Sequence, residues 1–205
     1  MSEVAPKVVI ATHNEHKVRE IRDILLPLVP GLRGEEIVSA AHFTAKAPVE
    51  EGVTFAENSL IKARALAEQT GLIALADDSG LCVDVLGGAP GIFSARWAGS
   101  HGDDVANLNL LLDQLGDVRA EHRGANFTCA ATLVAPDGEE QVSYGYLRGR
   151  LADSPRGTGG FGYDPILIPD GDTRTCGELT PGEKNDISHR GEAFRGLAAH
   201  LQRLI

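Results

Sequence analysis

Cysteine is scarce in this 205-residue chain, and the three present, Cys82, Cys129 and Cys176, lie far apart with no CxxC or CxxH spacing. Neither a disulfide framework nor a cysteine zinc site is expected, and all three read as packing residues. Long apolar runs are also missing. No stretch approaches the roughly 20 apolar residues that cross a bilayer, and the start "MSEVAPKVVIAT" lacks the basic head and apolar core of a secretory signal. A soluble, cytoplasmic protein is expected. Basic residues are outnumbered, 19 Lys and Arg against 29 Asp and Glu, for a formal net charge of -10. A chain with no basic stripe is a poor general binder of a phosphate backbone, which argues against nucleic acid as a partner. A small anion stays within reach, because a few cations at one site outweigh the global charge locally. What is present is an ordinary globular composition, 42% hydrophobic and 23% charged, long enough to bury a core. One domain, or two closely packed lobes, is expected over residues 1–205.

Hydrophobic periodicity divides the chain. "KVVIAT", residues 7–12, is a short β-branched run and reads as a buried strand. From His16 onward Val18, Ile21, Leu25 and Leu28 fall on one face of a helix, so "THNEHK" is a strand-to-helix loop. "TFAE" at 54–57 is a capping box, with Thr54 as N-cap and Glu57 reaching back, and Gly71 stops a helix predicted over about 55–70. "LIALA" then reads as a strand running into the adjacent Asp77 and Asp78. A further helix is predicted from Asp103, with Leu108, Leu111, Leu112 and Leu115 on its apolar side. Phe127, Cys129, Ala131 and Leu133 alternate with smaller or polar residues ahead of a "PDG" turn, a hairpin pattern, and "YDPILIP" reads as another strand. "TPGEK" at 180–184 opens a C-terminal helical region with Ile187, Phe194, Leu197, Leu201 and Leu204 inward and Gly191 as a point of interruption. The mixture implies an α/β fold, a long central sheet with helices on its flanks.

Four segments offer chemistry. The polar loop "THNEHK" points backbone N–H groups over a helix N-terminus, where anions fit, and Thr12, Asn14 and Lys17 add a hydroxyl, an amide and a cation. It equally suits a solvated helix start, having no Walker-type glycines. Asp77 and Asp78 stand at a strand end, where α/β sites collect, and paired carboxylates suit a hard cation such as Mg2+. One of them alone could instead cap the turn into "SGL". "VEEG" at 49–52 supplies further carboxylates or a surface loop. "GTGGFGYDP" packs four glycines around aromatics, so that Phe161 or Tyr163 offers a ring face to a flat base, or else forms a bulged strand edge. In "EKNDISHR" Lys184 and Ser188 share a helical face, followed by His189 and Arg190. Together the four supply anion donors, metal carboxylates, a stacking ring and cationic donors, the needs of a nucleoside triphosphate.

At this point "ATHNEHKVREI", "ENSLIKARA", "LADDSGLCVDVLGGAPGIFSARWAG", "GTGGFGYDP" and "KNDISHRGEAF" resemble the ordered motifs of the inosine triphosphate pyrophosphatase family, also called Ham1 or RdgB proteins. The resemblance runs from about residue 8 to 196. It implies an elongated mixed central sheet between two lobes with the active-site cleft between them. It further implies Mg2+-dependent hydrolysis of ITP, dITP and XTP to monophosphate and pyrophosphate, in a homodimer. Carried onto this chain, Thr12, His13, Asn14, Glu15, His16 and Lys17 resemble the triphosphate loop, and Lys62 a second phosphate cation. Asp78 matches the catalytic acid that binds magnesium and accepts a proton, with Asp77 supporting it or sharing the metal, and Ser79 contacts substrate. Glu50 matches the other metal carboxylate, with Glu51 beside it. Phe161, Gly162, Tyr163, Asp164, Lys184, His189 and Arg190 resemble the base-binding set. The chain departs from many members in carrying His13 where they have glycine. Rival readings are a pyrophosphatase for other modified nucleotides and a nucleotide-binding sensor without turnover; a sensor has no need of a water-activating acid.

Overall fold

In the computed structural model the described residues are 5–12, 15–43 and 46–205, with the side chain of His16 left aside. They form a six-stranded mixed sheet flanked by helices. Its strands are β1 (Val8–Ile10), β2 (Ile37–Ser39), β3 (Ile73–Val83), β4 (Gly124–Val134), β5 (Glu140–Leu151) and β6 (Leu167–Pro169), in the spatial order β2-β1-β3-β4-β5-β6. β1 runs parallel to both neighbours, pairing Val8 with Ile37 and with Ile73, while β6 closes the other edge antiparallel to β5. The helices are α1 (Glu15–Leu25), α2 (Phe55–Thr70), α3 (Asp104–Gln114), α4 (Pro181–Ile187) and α5 (His189–Leu204).

The chain divides into two compact units. Unit 1 takes the residues up to Asp78 together with Cys129–Gly145 and Arg190–Ile205; unit 2 takes Ser79–Thr128 and Tyr146–His189. In unit 1 side chains alternate across the strands. Val8, Ile10, Ile73 and Leu75 pack with α1 and α5 through Val18, Ile21, Leu25, Phe194, Leu197 and Leu201. Val9, Ala74 and Ala76 pack on the opposite face against Ala63, Leu66 and Ala67 of α2. The short side chains on that second face bring α2 close to the sheet. Unit 2 is built on Leu81 and Val83 of β3, Leu108, Leu111 and Leu115 of α3, and Phe127, Tyr163, Ile166 and Leu167.

Several elements follow from local chemistry. The Thr54 hydroxyl accepts the Glu57 N–H at 3.1 Å, the Glu57 carboxylate accepts the Thr54 N–H at 3.1 Å, and Gly71 ends α2 at φ 68°. Asp103 caps α3 by accepting the Ala106 N–H at 3.0 Å. Thr180 and Glu183 cap α4, with Pro181 in its first turn.

Other expectations are corrected. α1 ends at Leu25, so Leu28 leaves the predicted face and is 43% exposed. The strand expected over 163–169 shrinks to Leu167–Pro169, because the N–H groups of Ile166 and Leu167 both turn back to the Tyr163 carbonyl. The C-terminal helical region breaks at Ser188, which is extended at φ -68° and ψ 138°, and not at Gly191, which lies inside α5. Ile187, just before the break, is exposed. The edge strand β2 is three residues long, too short to show a period in the sequence.

Candidate active site

Strand β3 continues through both aspartates, so alternation sends their side chains to opposite faces of the sheet. Asp77, on the face of α1 and α5, is buried; its Oδ1 lies 2.6 Å from Lys17 Nζ and its Oδ2 3.2 Å from Arg190 Nε. Arg190 also reaches Glu20 at 3.3 Å. Burial by itself would raise the Asp77 pKa, but the charges of Lys17 and Arg190 outweigh it and hold the carboxyl well below its ordinary range. Asp77 is thus an anion locked by two cations.

Asp78 faces α2. Its Oδ1 is 3.6 Å from Lys62 Nζ, and the same ammonium is 3.4 Å from Glu50 Oε2. Asn58 Nδ2 donates to Asp78 Oδ2 at 3.3 Å. Burial pushes the Asp78 pKa up, and the nearby Glu50 charge adds to this, against the opposing Lys62 charge and the Asn58 N–H. A carboxylate raised in this way is a better proton acceptor than an exposed one. Glu50 and Asp78 therefore present two hard oxygen donors to a common cation, here the Lys62 ammonium. Mg2+ commonly takes one or two carboxylates and fills its remaining positions with water and substrate phosphates, so this donor set fits it. Among the described residues no group of three His, Cys, Asp or Glu side chains forms a metal cluster. A hollow of about 70 Å³ beside the pair is lined in part by Lys46, Glu50, Lys62 and Gln69.

The residues expected to hold phosphate fall partly outside the described set, namely His13, Asn14 and the His16 side chain, and α1 already begins at Glu15. The Thr12 carbonyl accepts the Ala40 N–H at 3.2 Å. Glu15 opens α1 and accepts the Ser39 hydroxyl at 2.7 Å. Ser79 is half-buried on β3.

Unit 2 assembles the glycine-rich loop. Asp164 is 2% exposed and its Oδ2 accepts the Phe161 N–H at 2.7 Å and the Lys184 ammonium at 2.5 Å. Lys184 Nζ also stands 5.1 Å from the centre of the Phe161 ring. Gly160 has φ +72°, and a Cβ there would collide with the Asp164 carboxylate, so only glycine lets the loop fold back on that anion. Phe161 is 65% exposed and offers an open ring face. Tyr163 does not: it is buried, and its hydroxyl donates to the Ser94 carbonyl at 2.9 Å, which makes it an anchor of the loop. Gly162 N–H is held at 2.9 Å by Asp104 of α3. His189 is buried and stacked on Phe127 at 5.1 Å between centroids. Ser188, expected to share a helical face with Lys184, is buried beyond the end of α4. Arg190, grouped by sequence with the base-reading set, belongs to unit 1, its guanidinium committed to Asp77 and Glu20. Asn58, Asp104 and Ser94 also hold the site, each through a partner distant in sequence. The position of Asn58 inside the "ENSLIKARA" motif is its signal in the sequence.

The aspartates stand in the middle of β3 and not at a strand end, and an α/β sheet that carries a carboxylate and lysine cluster, with a glycine and aromatic loop clamped by a second lysine, defines a protein with the groups to handle phosphate anions and a flat ring. The comparisons with known proteins are specific. The Ham1 family model matches residues 8–200. The chain is 59% identical to the dITP/XTP pyrophosphatase of Streptomyces coelicolor over 97% of its own length and 98% of that protein's. The solved nucleoside-triphosphatase / dITP/XTP pyrophosphatase of Mycobacterium abscessus is 48% identical, with a TM-score of 0.78 over 95% of this chain and 98% of that one. The solved HAM1 protein of Coxiella burnetii is 38% identical, with a TM-score of 0.87 over 97% and 99%. The chain belongs to the Ham1 family. No helix among the described residues is long and apolar enough to cross a membrane.

Proposed function

We propose that this protein hydrolyses deaminated purine nucleoside triphosphates, ITP, dITP and XTP, to the monophosphate and pyrophosphate, and so removes them from the nucleotide pool. The observation that carries the reading is the convergence of Asp78 and Glu50 on the Lys62 ammonium, in a chain so similar along its whole length to relatives named dITP/XTP pyrophosphatase.

In this reading Asp78 and Glu50 hold Mg2+, which when bound neutralises phosphate charge and orients a water. Asp78 accepts the proton of the attacking water. Lys62 leaves its carboxylates for the phosphates, and Lys17 of α1 joins Thr12, His13, Asn14 and the first α1 residues Glu15 and His16 in supplying cation and donors. Asp77 keeps Lys17 oriented. Ser79 contacts the substrate from the same strand.

Base reading falls to unit 2. The Phe161 face stacks on the purine, and Lys184, fixed by Asp164, donates to the 6-oxygen. Adenine has an amine there and leaves the donor unmatched, a mismatch of a kind that rejects analogues by up to roughly 10⁴. Gly162 and Tyr163 shape the loop, and His189 stacks on Phe127, which shares a core with Tyr163. The reading includes a cytoplasmic homodimer, and its oligomeric state is measured by light scattering.

The deciding experiment is pyrophosphate release from a panel of nucleoside triphosphates, with and without Mg2+. ITP, dITP and XTP are expected to exceed ATP and GTP by orders of magnitude, with turnover only when Mg2+ is present. Equal turnover of ATP, or of modified pyrimidines, refutes the substrate class; tight binding of ITP without release of pyrophosphate marks a sensor instead.

A further inference from the structure

We propose that Asn58 is the positioning residue that sets Asp78 and the Glu50 loop in register with one another, an inference that rests on the functional reading above. Asn58 stands in the first turn of α2 and is 1% exposed. Helices disfavour asparagine in their interior, and an apolar residue would fill the same space with no amide to satisfy. Both ends of this amide are used. Oδ1 accepts the Gly52 N–H at 2.8 Å, and Nδ2 donates to Asp78 Oδ2 at 3.3 Å. The partners fix the orientation, since a reversed amide would set an N–H against the Gly52 N–H and an oxygen against a carboxylate.

The first turn of α2 grips the loop at three consecutive N–H groups. Gly52 is taken by Asn58, while Val53 at 2.7 Å and Thr54 at 3.1 Å are taken by the Glu57 carboxylate. The contact is close. A Cβ on Gly52 would stand 2.7 Å from Asn58 Oδ1 and 2.7 Å from Glu57 Cβ. The helix is itself pinned to the sheet one residue further on, where Ser59 Oγ lies 2.8 Å from Thr132 Oγ1 with both residues fully buried. Glu50 is two residues ahead of the grip, so its carboxylate is located through Asn58 relative to Asp78. The bond also divides the work of the Asp78 carboxylate: Oδ2 takes the amide, and Oδ1 is the oxygen turned toward the cation, here Lys62 at 3.6 Å.

The test uses the full-length protein, with Asn58→Ala and, at the other end of the same bond, Gly52→Ala. Mg2+ binding is measured by calorimetry without nucleotide, alongside steady-state kinetics on ITP and hydrogen exchange at the Gly52 amide. Both variants are expected to weaken Mg2+ binding by about 10- to 100-fold, the usual effect of losing a partner that orients a metal ligand. With Mg2+ at a fixed concentration kcat should fall while KM for ITP stays within about threefold, and the Gly52 amide should lose protection in Asn58→Ala. A merely structural asparagine would lower Tm and leave Mg2+ affinity and the split between kcat and KM untouched, and that result overturns the proposal. Gly52→Ala, in a half-exposed loop, keeps the test alive if Asn58→Ala does not fold. Wild-type protein that releases no pyrophosphate from ITP refutes the functional reading; active wild type with both variants at wild-type Mg2+ affinity refutes the role of Asn58 alone.

Discussion

Each compact unit sets a lysine against carboxylates, and the two arrangements differ in tightness. In unit 2 Lys184 lies 2.5 Å from Asp164, whose same oxygen also holds the Phe161 N–H. In unit 1 Lys62 stands 3.4 Å from Glu50 and 3.6 Å from Asp78, beyond the range of a strong charged hydrogen bond. The tight pair belongs to the part that would recognise a rigid ring, where a fixed donor discriminates best. The loose one belongs to the part where, in the proposed function, a cation and phosphates would enter and charge would be redistributed. A lysine too firmly bonded there would compete with the ligands it is meant to help. Asp77 is the third case: gripped by Lys17 and Arg190, it is too fully neutralised to act as a base, although only a peptide bond separates it from Asp78.

The largest expected effect breaks the loose cluster. Asp78→Asn keeps the shape and loses the charge, and turnover should fall by about 10² to 10⁴ while ITP binding is largely retained. Single-turnover rates measured beside ITP affinity decide it, and a variant within a few-fold of wild type would overturn the assignment of Asp78. Within the same cluster Glu50→Gln should weaken apparent Mg2+ affinity more than Glu51→Gln, since it is Glu50 that shares the Lys62 cation with Asp78.

A smaller effect separates the two roles given to unit 2. Lys184→Ala removes a charged donor and should raise KM for ITP by about 10- to 100-fold while narrowing the preference for ITP over ATP. Phe161→Ala should instead weaken all purines together, because a stacking face does not distinguish a 6-oxygen from a 6-amine. The ratio of kcat/KM for ITP and ATP in each variant separates donor from platform. Arg190→Met, by contrast, should act on folding, since it strips the buried Asp77 of one of its two cations. A change in base preference with unaltered Tm would return Arg190 to the base-reading set.

The legible parts of the molecule are those whose cause is local. The α2 capping box, the Asp103 cap and the Pro181 start each lie within four residues of sequence, and all three helices begin where the pattern put them. The alternation that separates Asp77 from Asp78 was also readable, given a strand that runs through both. Which helix meets which aspartate was not, because it depends on Lys17 and Arg190 arriving on one face and Lys62 on the other. Tyr163 and Phe161 look alike in sequence, two aromatics in one glycine loop. Only the Ser94 carbonyl, brought by a separate segment, makes one an anchor and leaves the other exposed. Asn58 was illegible for the opposite reason: an asparagine in an amphipathic helix reads as a surface residue until its burial is known.

Away from the site each unit should also show a slight response to acid. In unit 1 the Glu36 carboxylate takes the Arg33 guanidinium at 2.9 Å and the Arg33 N–H at 2.9 Å, with Lys7 at 3.1 Å, and these bonds lower its pKa from 4.5 to about 2. In unit 2 Glu183 is held at about 2 by the backbone and hydroxyl of Thr180, then by Arg174. A carboxyl that binds its proton less readily folded than unfolded stabilises the protein above its unfolded pKa and loses that contribution as pH falls through the folded value. Both contributions should therefore be complete above pH 4.5 and fade toward pH 2. Glu36→Gln should accordingly lower Tm at neutral pH, and the gap to wild type should close between those two values. Glu183→Gln should behave alike in Tm but should also raise KM for ITP, because Glu183 caps the helix that carries Lys184. Thermal melts across that pH range, run beside kinetics at neutral pH, test both halves. A Glu36→Gln gap that stays constant down to pH 2 would mean the carboxylate contributes through packing and not through its charge.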